Sequence, residues 1–306
     1  MKNFTALCRM SKHELKSYME AYLDEYEYEP INEDGFLYAK GDIPVLLIAH
    51  MDTVHKMSCT EIKEVDGKIS SPQGIGGDDR CGAFIIAEII KELHCSVLLC
   101  EEEEIGCVGA RKFRNTEYIN DLDVNYMVEF DRKGNKDAVF YRCDNPEFTE
   151  FVTTTTGFEK AYGSCSDISV VAPAAGIAAV NLSSGYYNAH TTDEYVIYKE
   201  MLNTIDAAKK LILTESEPFE YIEQKYIAPT PIYNSSRDYY GGYVQTSLFD
   251  YAKDDMMIHL EVVFVDQYGE ENSAESEGNT KAEAWANFFM GNPDVCFNMI
   301  EDYSFM

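Results

Sequence analysis

Residues 44–50 read Pro-Val-Leu-Leu-Ile-Ala-His, a short run in which apolar side chains are not interleaved with polar ones. A strand with one wet face alternates. An unbroken run of this length therefore predicts a strand buried on both faces, as in a largely parallel sheet covered by helices on either side. The surrounding chain keeps that rhythm. Residues 95–100, 125–130 and 178–182 read as further strands, and residues 79–93, 106–114, 145–155, 167–174 and 199–213 as helices. Ahead of them, Leu15, Tyr18, Met19, Tyr22 and Leu23 recur at helical spacing over residues 11–26, with Ser11 and Glu14 as a capping box. The expectation is α/β: an open, mostly parallel sheet with helices on both faces, in three layers. Ligands of such sheets bind outside the carboxyl ends of the strands.

This pattern fills residues 1–215, the expected catalytic domain of a 306-residue chain. Residues 216–254 are rich in Tyr, Pro and Gly without a period and read as a linker or wrapping segment. Residues 255–306 read as a small C-terminal α/β module of unknown role. There Ile258, Leu260, Val262 and Phe264 alternate with His259, Glu261, Val263 and Val265 as in a strand. A capping box at Thr280 and Glu283 opens a helix ended by Gly291, and residues 294–300 read as a last strand.

Charge and cysteine usage narrow the function. Lys and Arg number 25 against 54 Asp and Glu, a net charge of −29, which repels phosphate backbones and anionic headgroups, so neither nucleic acid nor membrane is an expected partner. The N-terminus has no continuous apolar stretch of the kind a secretory signal carries. Nine cysteines, an odd number with no CxxC pair, suit a reducing cytoplasm and give no support to a structural zinc finger.

Chemistry-bearing segments follow the expected strands. They are His50-Met-Asp52, Gly76-Gly-Asp78-Asp79-Arg80, Glu101-Glu102-Glu103-Glu104-Ile-Gly106, Glu129-Phe-Asp131 and Asn188-Ala-His190. Two imidazoles and several carboxylates gathered at one sheet edge carry a charge that cations would relieve. In His50-x-Asp52 both side chains leave the same side of an extended segment, which lets Asp52 accept the hydrogen bond of the imidazole nitrogen that faces away from a metal. Gly76 and Gly77 free the backbone to turn sharply before Asp78.

In these segments the sequence resembles the zinc-dependent exopeptidases with co-catalytic metals, a group that includes tetrahedral aminopeptidases, tripeptidases and carboxypeptidase-G-like enzymes. The resemblance covers residues 44 to about 200 and rests on five pieces in the family's order: His50-Met-Asp52, Gly77-Asp78-Asp79-Arg80, Glu103-Glu104-Ile-Gly-Cys-Val-Gly109, Asp131, and Gly163-Ser-Cys-Ser-Asp167 leading to His190-Thr-Thr-Asp-Glu194. It implies two divalent ions, zinc with cobalt or manganese as alternatives. It makes His50 and Asp131 ligands of one ion, Glu104 and His190 ligands of the other, Asp78 the bridge, Glu103 the general base and Asp52 a catalytic partner of His50. The implied activity is removal of residues from short peptides or aminoacyl substrates. A deacylase of N-acyl amino acids and a retired peptidase scaffold used for binding are the alternatives, and oligomeric state is left open. The sequence departs from the family twice. The insertion that forms a lid in many relatives is missing, and Glu101 and Glu102 precede the usual pair, so that its register rests on Ile105-Gly106.

Several residues also have plainer readings. His13, His55, His94 and His259 read as surface or satisfied core histidines. Asp79 and Arg80 read as an ion pair at a helix start, and Ser166-Asp167 equally as a helix-capping pair or as substrate contacts.

Overall fold

The computed structural model describes residues 1–56, 59–224, 258–265, 271–278 and 300–305. They divide between two compact units, Met1–Tyr226 and Ile227–Met306.

The first unit opens with α1 (Lys2–Leu7) and α2 (Lys12–Glu25). Helix α2 begins at the expected capping box: Ser11 Oγ accepts the Glu14 N–H at 3.3 Å, and the Glu14 carboxylate accepts the Ser11 N–H at 2.8 Å. Two short strands follow, β1 (Ile31–Glu33) and β2 (Phe36–Ala39), and then β3 (Ile43–His50). Strands β4 (Lys63–Val65) and β5 (Lys68–Ser70) precede α3 (Gly77–Ile89). Next come β6 (Cys95–Cys100), α4 (Val108–Arg114) and β7 (Tyr126–Arg132), then β8 (Asp137–Val139), α5 (Pro146–Thr156) and β9 (Glu159–Ala161). The unit continues through α6 (Ile168–Ala175), β10 (Ala179–Ser183), β11 (Tyr186–Tyr187), β12 (Tyr195–Ile197) and α7 (Tyr198–Leu213).

Eight strands form the main sheet in the order β1-β2-β6-β3-β7-β10-β8-β9. Its four central strands, β6, β3, β7 and β10, are parallel, as their uninterrupted apolar runs require. Antiparallel β2 and β8 flank them. The eight short strands that periodicity missed have two to four residues each, too few to display a period of two.

Along β3, Leu47 and Ala49 belong to one core while Leu46 and Ile48 belong to another. Side chains from α1, α2, α3, α5 and α7 fill the first core, and those from α4 and α6 fill the second. This gives the three layers. Residues 216–224, the start of the expected linking segment, lie on this unit: Phe219 packs on Tyr126, Phe148 and Phe151, and its N–H donates to the Asn125 carbonyl at 2.8 Å.

Register decides where the chemistry sits. His50 pairs with Cys100, and Glu129 pairs with both Ile48 and Asn181. The carboxyl ends of the central strands are thus level, and the segments that follow them share one edge. A smaller antiparallel sheet, β11-β12-β5-β4, supplies a hairpin whose loop carries His190. That residue therefore comes from a second sheet, not from a connection that directly follows β10.

In the second unit, β13 (Ile258–Val265) pairs antiparallel with β14 (Glu271–Gly278) and β15 (Ile300–Phe305), with Leu260 and Val262 buried. Of the expected last strand over 294–300, only Ile300 lies among the described residues, and it opens β15. Residues 225–257 and the expected helix over 280–291 lie outside the described residues. No helix among the described residues is long and apolar enough to cross a membrane.

Gly109 allows α4 to rest against β6 and the turn before β2. A Cβ there would stand 2.2 Å from the Gly35 carbonyl oxygen and 2.7 Å from the Glu101 nitrogen. Both are backbone atoms with little room to yield. Gly109→Ala should destabilise the chain by roughly 1–3 kcal/mol, the usual cost of overpacking. Denaturant unfolding is the check, and an unchanged midpoint would contradict this packing.

Candidate metal centre

The four consecutive glutamates have different surroundings. Glu101 is buried and accepts from Lys16 Nζ at 2.9 Å and from the Gly35 N–H at 3.1 Å. Glu102 pairs with Lys12. At Glu102 the backbone turns into the left-handed region, φ 60°, which ends the extended run and aims the next two side chains elsewhere. Their main chain is then gripped by Asp52, whose Oδ1 accepts the Glu103 N–H at 3.1 Å and whose Oδ2 accepts the Glu104 N–H at 3.2 Å. Glu103 lines a cleft together with Asp78, Asp131, Tyr141, Cys165 and His190. Glu104 meets His190, Oε2 to Nε2 at 3.0 Å.

At the middle of the cluster stands Asp78. Its Oδ1 is 3.0 Å from His50 Nε2, and its Oδ2 is 3.2 Å from His190 Nε2. The same His50 nitrogen is 3.6 Å from Asp131 Oδ1. The structure thus brings together all five residues whose side chains the family resemblance makes ligands. Ligand atoms gather within 4.8 Å in two groups, His50-Asp78-Glu104 and His50-Asp79-Asp131. In the second group Asp79 is already engaged: Oδ2 accepts the His50 N–H at 3.3 Å, and Oδ1 accepts the Gly82 N–H at 2.8 Å. It ties β3 to the helix.

Asp52 departs from the expected geometry. Its Oδ1 lies 3.4 Å from His50 Nδ1, but that nitrogen has no aligned hydrogen-bond partner. The main chain of Glu103 and Glu104 takes the better-directed bonds. Nor do Asp79 and Arg80 form the expected ion pair. The buried Arg80 guanidinium donates instead to the carbonyls of Met51 at 2.7 Å and Met10 at 3.1 Å, clamping the segment after His50. The capping reading of Ser166-Asp167 also fails. Asp167 stands at the N-cap of α6 but its side chain makes no capping hydrogen bond, and Ser166 Oγ donates to Asp131 Oδ2 at 2.9 Å.

Other residues around Asp131 were not foreseen. Tyr186 Oη donates to its Oδ1 at 3.1 Å, and Asn181 exchanges two hydrogen bonds with its main chain. The sequence carries no signal of these contacts. His55 is satisfied, as expected of it, by Glu194 at 2.8 Å. Glu194 itself belonged to a motif but had no assigned role.

Protein groups alone leave the charges poorly balanced. Burial, and then repulsion from Asp131, Asp167 and Glu104 against the pull of His50, pushes the Glu103 carboxyl up to about 9. Asp78 and Glu104 raise His190 to about 10. Burial opposes charge on His50, yet Asp131, Asp52 and Asp78 hold it well above its usual range. Glu104 Oε1 and both oxygens of Glu129 and of Asp167 are buried with no hydrogen-bond partner. The imidazole of His50 with the carboxylates of Asp78, Asp131 and Glu104, the last with an orphaned oxygen, forms a donor set that fits divalent cations.

Two predictions follow from these charges. Burial chiefly raises Asp167 from 3.8 to about 7 and Asp131 from 3.8 to about 6. Between pH 3.8 and those values the folded chain keeps protons that the unfolded chain has released, so stability falls as pH rises. His50 acts in the same direction, because its contribution is complete below its ordinary pKa and fades above it. Asp52, held near 2 by His50 and two N–H groups against burial, acts in reverse only below its ordinary 3.8. In chelator, stability should drop by roughly 1–4 kcal/mol from about pH 4.5 to about pH 7.5, and zinc should flatten the curve. A curve that rises over this interval contradicts the argument. Separately, Cys165 is exposed and is lowered to about 6, chiefly by a hydrogen bond from Cys107. Iodoacetamide at neutral pH should therefore label Cys165 before the seven buried cysteines among the described residues, read by peptide mass mapping.

Neither a protein-family model nor a curated protein sequence matches the chain. Solved structures do. An aminopeptidase PepT from Bacillus cereus superposes with a TM-score of 0.58 at 16% identity, over 69% of this chain and 96% of that one. A tripeptidase from Staphylococcus aureus gives 0.56 at 14%, over 68% and 95%, and an aminopeptidase from the archaeon Desulfurococcus kamchatkensis gives 0.56 at 15%, over 71% and 96%. At such identities the likeness is one of architecture: this chain has the α/β fold of those aminopeptidases.

Proposed function

We propose that this chain is a metal-dependent exopeptidase that removes residues from the free N-terminus of short peptides. The observation that carries the reading is the placement of Asp78, whose two carboxylate oxygens each face a different histidine. This is the arrangement a carboxylate shared by two cations requires. Aminopeptidases and a tripeptidase of the same fold support it.

In this reading His50 and Asp131 hold one ion, His190 and Glu104 the other, and Asp78 both. When bound, the pair would polarise the scissile carbonyl and make a water more acidic. Glu103, in the same cleft, would be ionised by the nearby cations; it takes a proton from the water as its oxygen attacks the carbonyl carbon, and delivers it to the amine nitrogen as the C–N bond breaks. No covalent bond to the protein forms. Asp52 acts on both glutamates through their main chain, fixing base and ligand side by side. A reducing cytoplasm suits the eight described cysteines, all free.

The test is turnover of aminoacyl amides, dipeptides and N-acyl amino acids by metal-reconstituted protein. Activity on free-amine substrates, abolished by chelation, is expected. Turnover of N-acyl substrates alone would make the chain a deacylase, and bound metal without turnover of either class would make it a binding scaffold. The adjacent glutamates should also separate. Glu103→Gln should lower turnover by roughly 10²–10⁴-fold with both ions retained. Glu104→Gln should lose one ion, as elemental analysis would report. A Glu103→Gln protein lacking one ion would reverse the two assignments.

A further inference from the structure

Asp78 follows two glycines, and its neighbours include Asp79, Asp131 and Glu104. Its side chain meets His50 and His190, but two glycines leave the main chain that carries it free to turn, so a separate contact must fix that main chain. The structure assigns that task to Glu194, seated on His55, as the positioning residue of Asp78. The assignment rests on the reading of Asp78 as a shared metal ligand.

Glu194 is fully buried, yet its carboxylate is completely engaged. Oε1 accepts the Asp78 N–H at 3.0 Å, Oε2 accepts the Gly76 N–H at 2.9 Å, and Oε2 also meets His55 Nε2 at 2.8 Å. A carboxylate offers only lone pairs, so His55 must present its proton at Nε2. Gly74 makes room for that ring, since a Cβ there would stand 2.1 Å from His55 Cε1. Burying an anion costs several kcal/mol unless donors surround it, and here three do. Two of the three are the main-chain N–H groups that lead into Asp78.

The hairpin loop between β11 and β12 therefore does two jobs within five residues. His190 reaches Asp78 Oδ2 from one side, and Glu194 holds the Asp78 backbone from the other. The loop closes on itself through the Glu194 N–H to the Thr191 carbonyl at 3.2 Å. The separation between His190 and Asp78 is thus set by one short segment, and a change at Glu194 reaches the centre without touching a ligand side chain.

Glu194→Gln keeps the shape but turns one oxygen into a donor. It must then face either the Asp78 N–H or the Gly76 N–H, two donors opposed. Competition titration of zinc into chelator-stripped protein should show affinity 10- to 100-fold weaker, the usual effect of losing a residue that orients a ligand. The visible absorption of the cobalt-loaded protein should shift, a readout that mere loss of stability would leave alone. His55→Ala removes one donor from Glu194 at a partly exposed position and should weaken zinc in the same direction. His55→Gln, which restores an N–H donor, should recover affinity. His55→Ala decides the matter if Glu194→Gln does not fold. Wild-type zinc affinity and an unshifted cobalt spectrum in His55→Ala, or in a folded Glu194→Gln, would overturn the assignment while leaving the metal centre intact. A wild-type chain that binds neither zinc nor cobalt would overturn the centre itself and the assignment with it.

Discussion

Negative charge confined to one edge of a sheet is the constraint that the first unit is built around. Asp52, Asp78, Asp79, Glu101, Glu103, Glu104, Glu129, Asp131, Asp167 and Glu194 all lie at the carboxyl edge of the central strands or in the loops that reach it. A parallel sheet brings them there because its strand ends are level, and hydrophobic burial on both faces, at about 25 cal/mol per Å² of apolar surface, fixes that level. The repulsion is accepted because a one-residue slip of β3 would exchange Leu46 and Ile48 with Leu47 and Ala49 between two cores packed to fit them.

Seven of these acids fall into two groups by what satisfies them. Asp52, Asp79, Glu101 and Glu194 are held chiefly by main-chain N–H groups, with Lys16 added at Glu101 and His55 at Glu194. These bonds convert like charges into struts: each carboxylate fixes a turn that carries another acid or a histidine. Asp78, Glu104 and Asp131 instead meet the imidazoles of His50 and His190, and Glu104 keeps an orphaned oxygen. The struts are rigid because they bond backbone, and the second group stays available because the struts leave it so.

Several of these roles were readable in the residues. The run ending at His50 implied a buried parallel strand, Ser11 and Glu14 marked the start of α2, and five short motifs in one order named the residues that meet at Asp78. Other assignments were out of reach. Which of four glutamates faces the cleft depends on Lys12 and Lys16, from a helix far away in sequence, and on a left-handed turn at Glu102 that ends the simple alternation of a strand. Arg80 beside Asp79 suggested an ion pair, whereas the fold sends the guanidinium to carbonyl groups.

The sequence by itself determined which segments are strands or helices wherever they are long enough to show a period, and which chemistry its acids and histidines suit. Periodicity records the burial of each position along its own element, and that information is local. Tertiary structure alone decided what lies across a gap: that Asp52 grips the main chain of Glu103 and Glu104, that His190 arrives on a hairpin from a second sheet, and that Glu194 reaches back to Asp78. Those pairings depend on strand register and on the directions of individual N–H groups, which exist only once both faces of the sheet are packed.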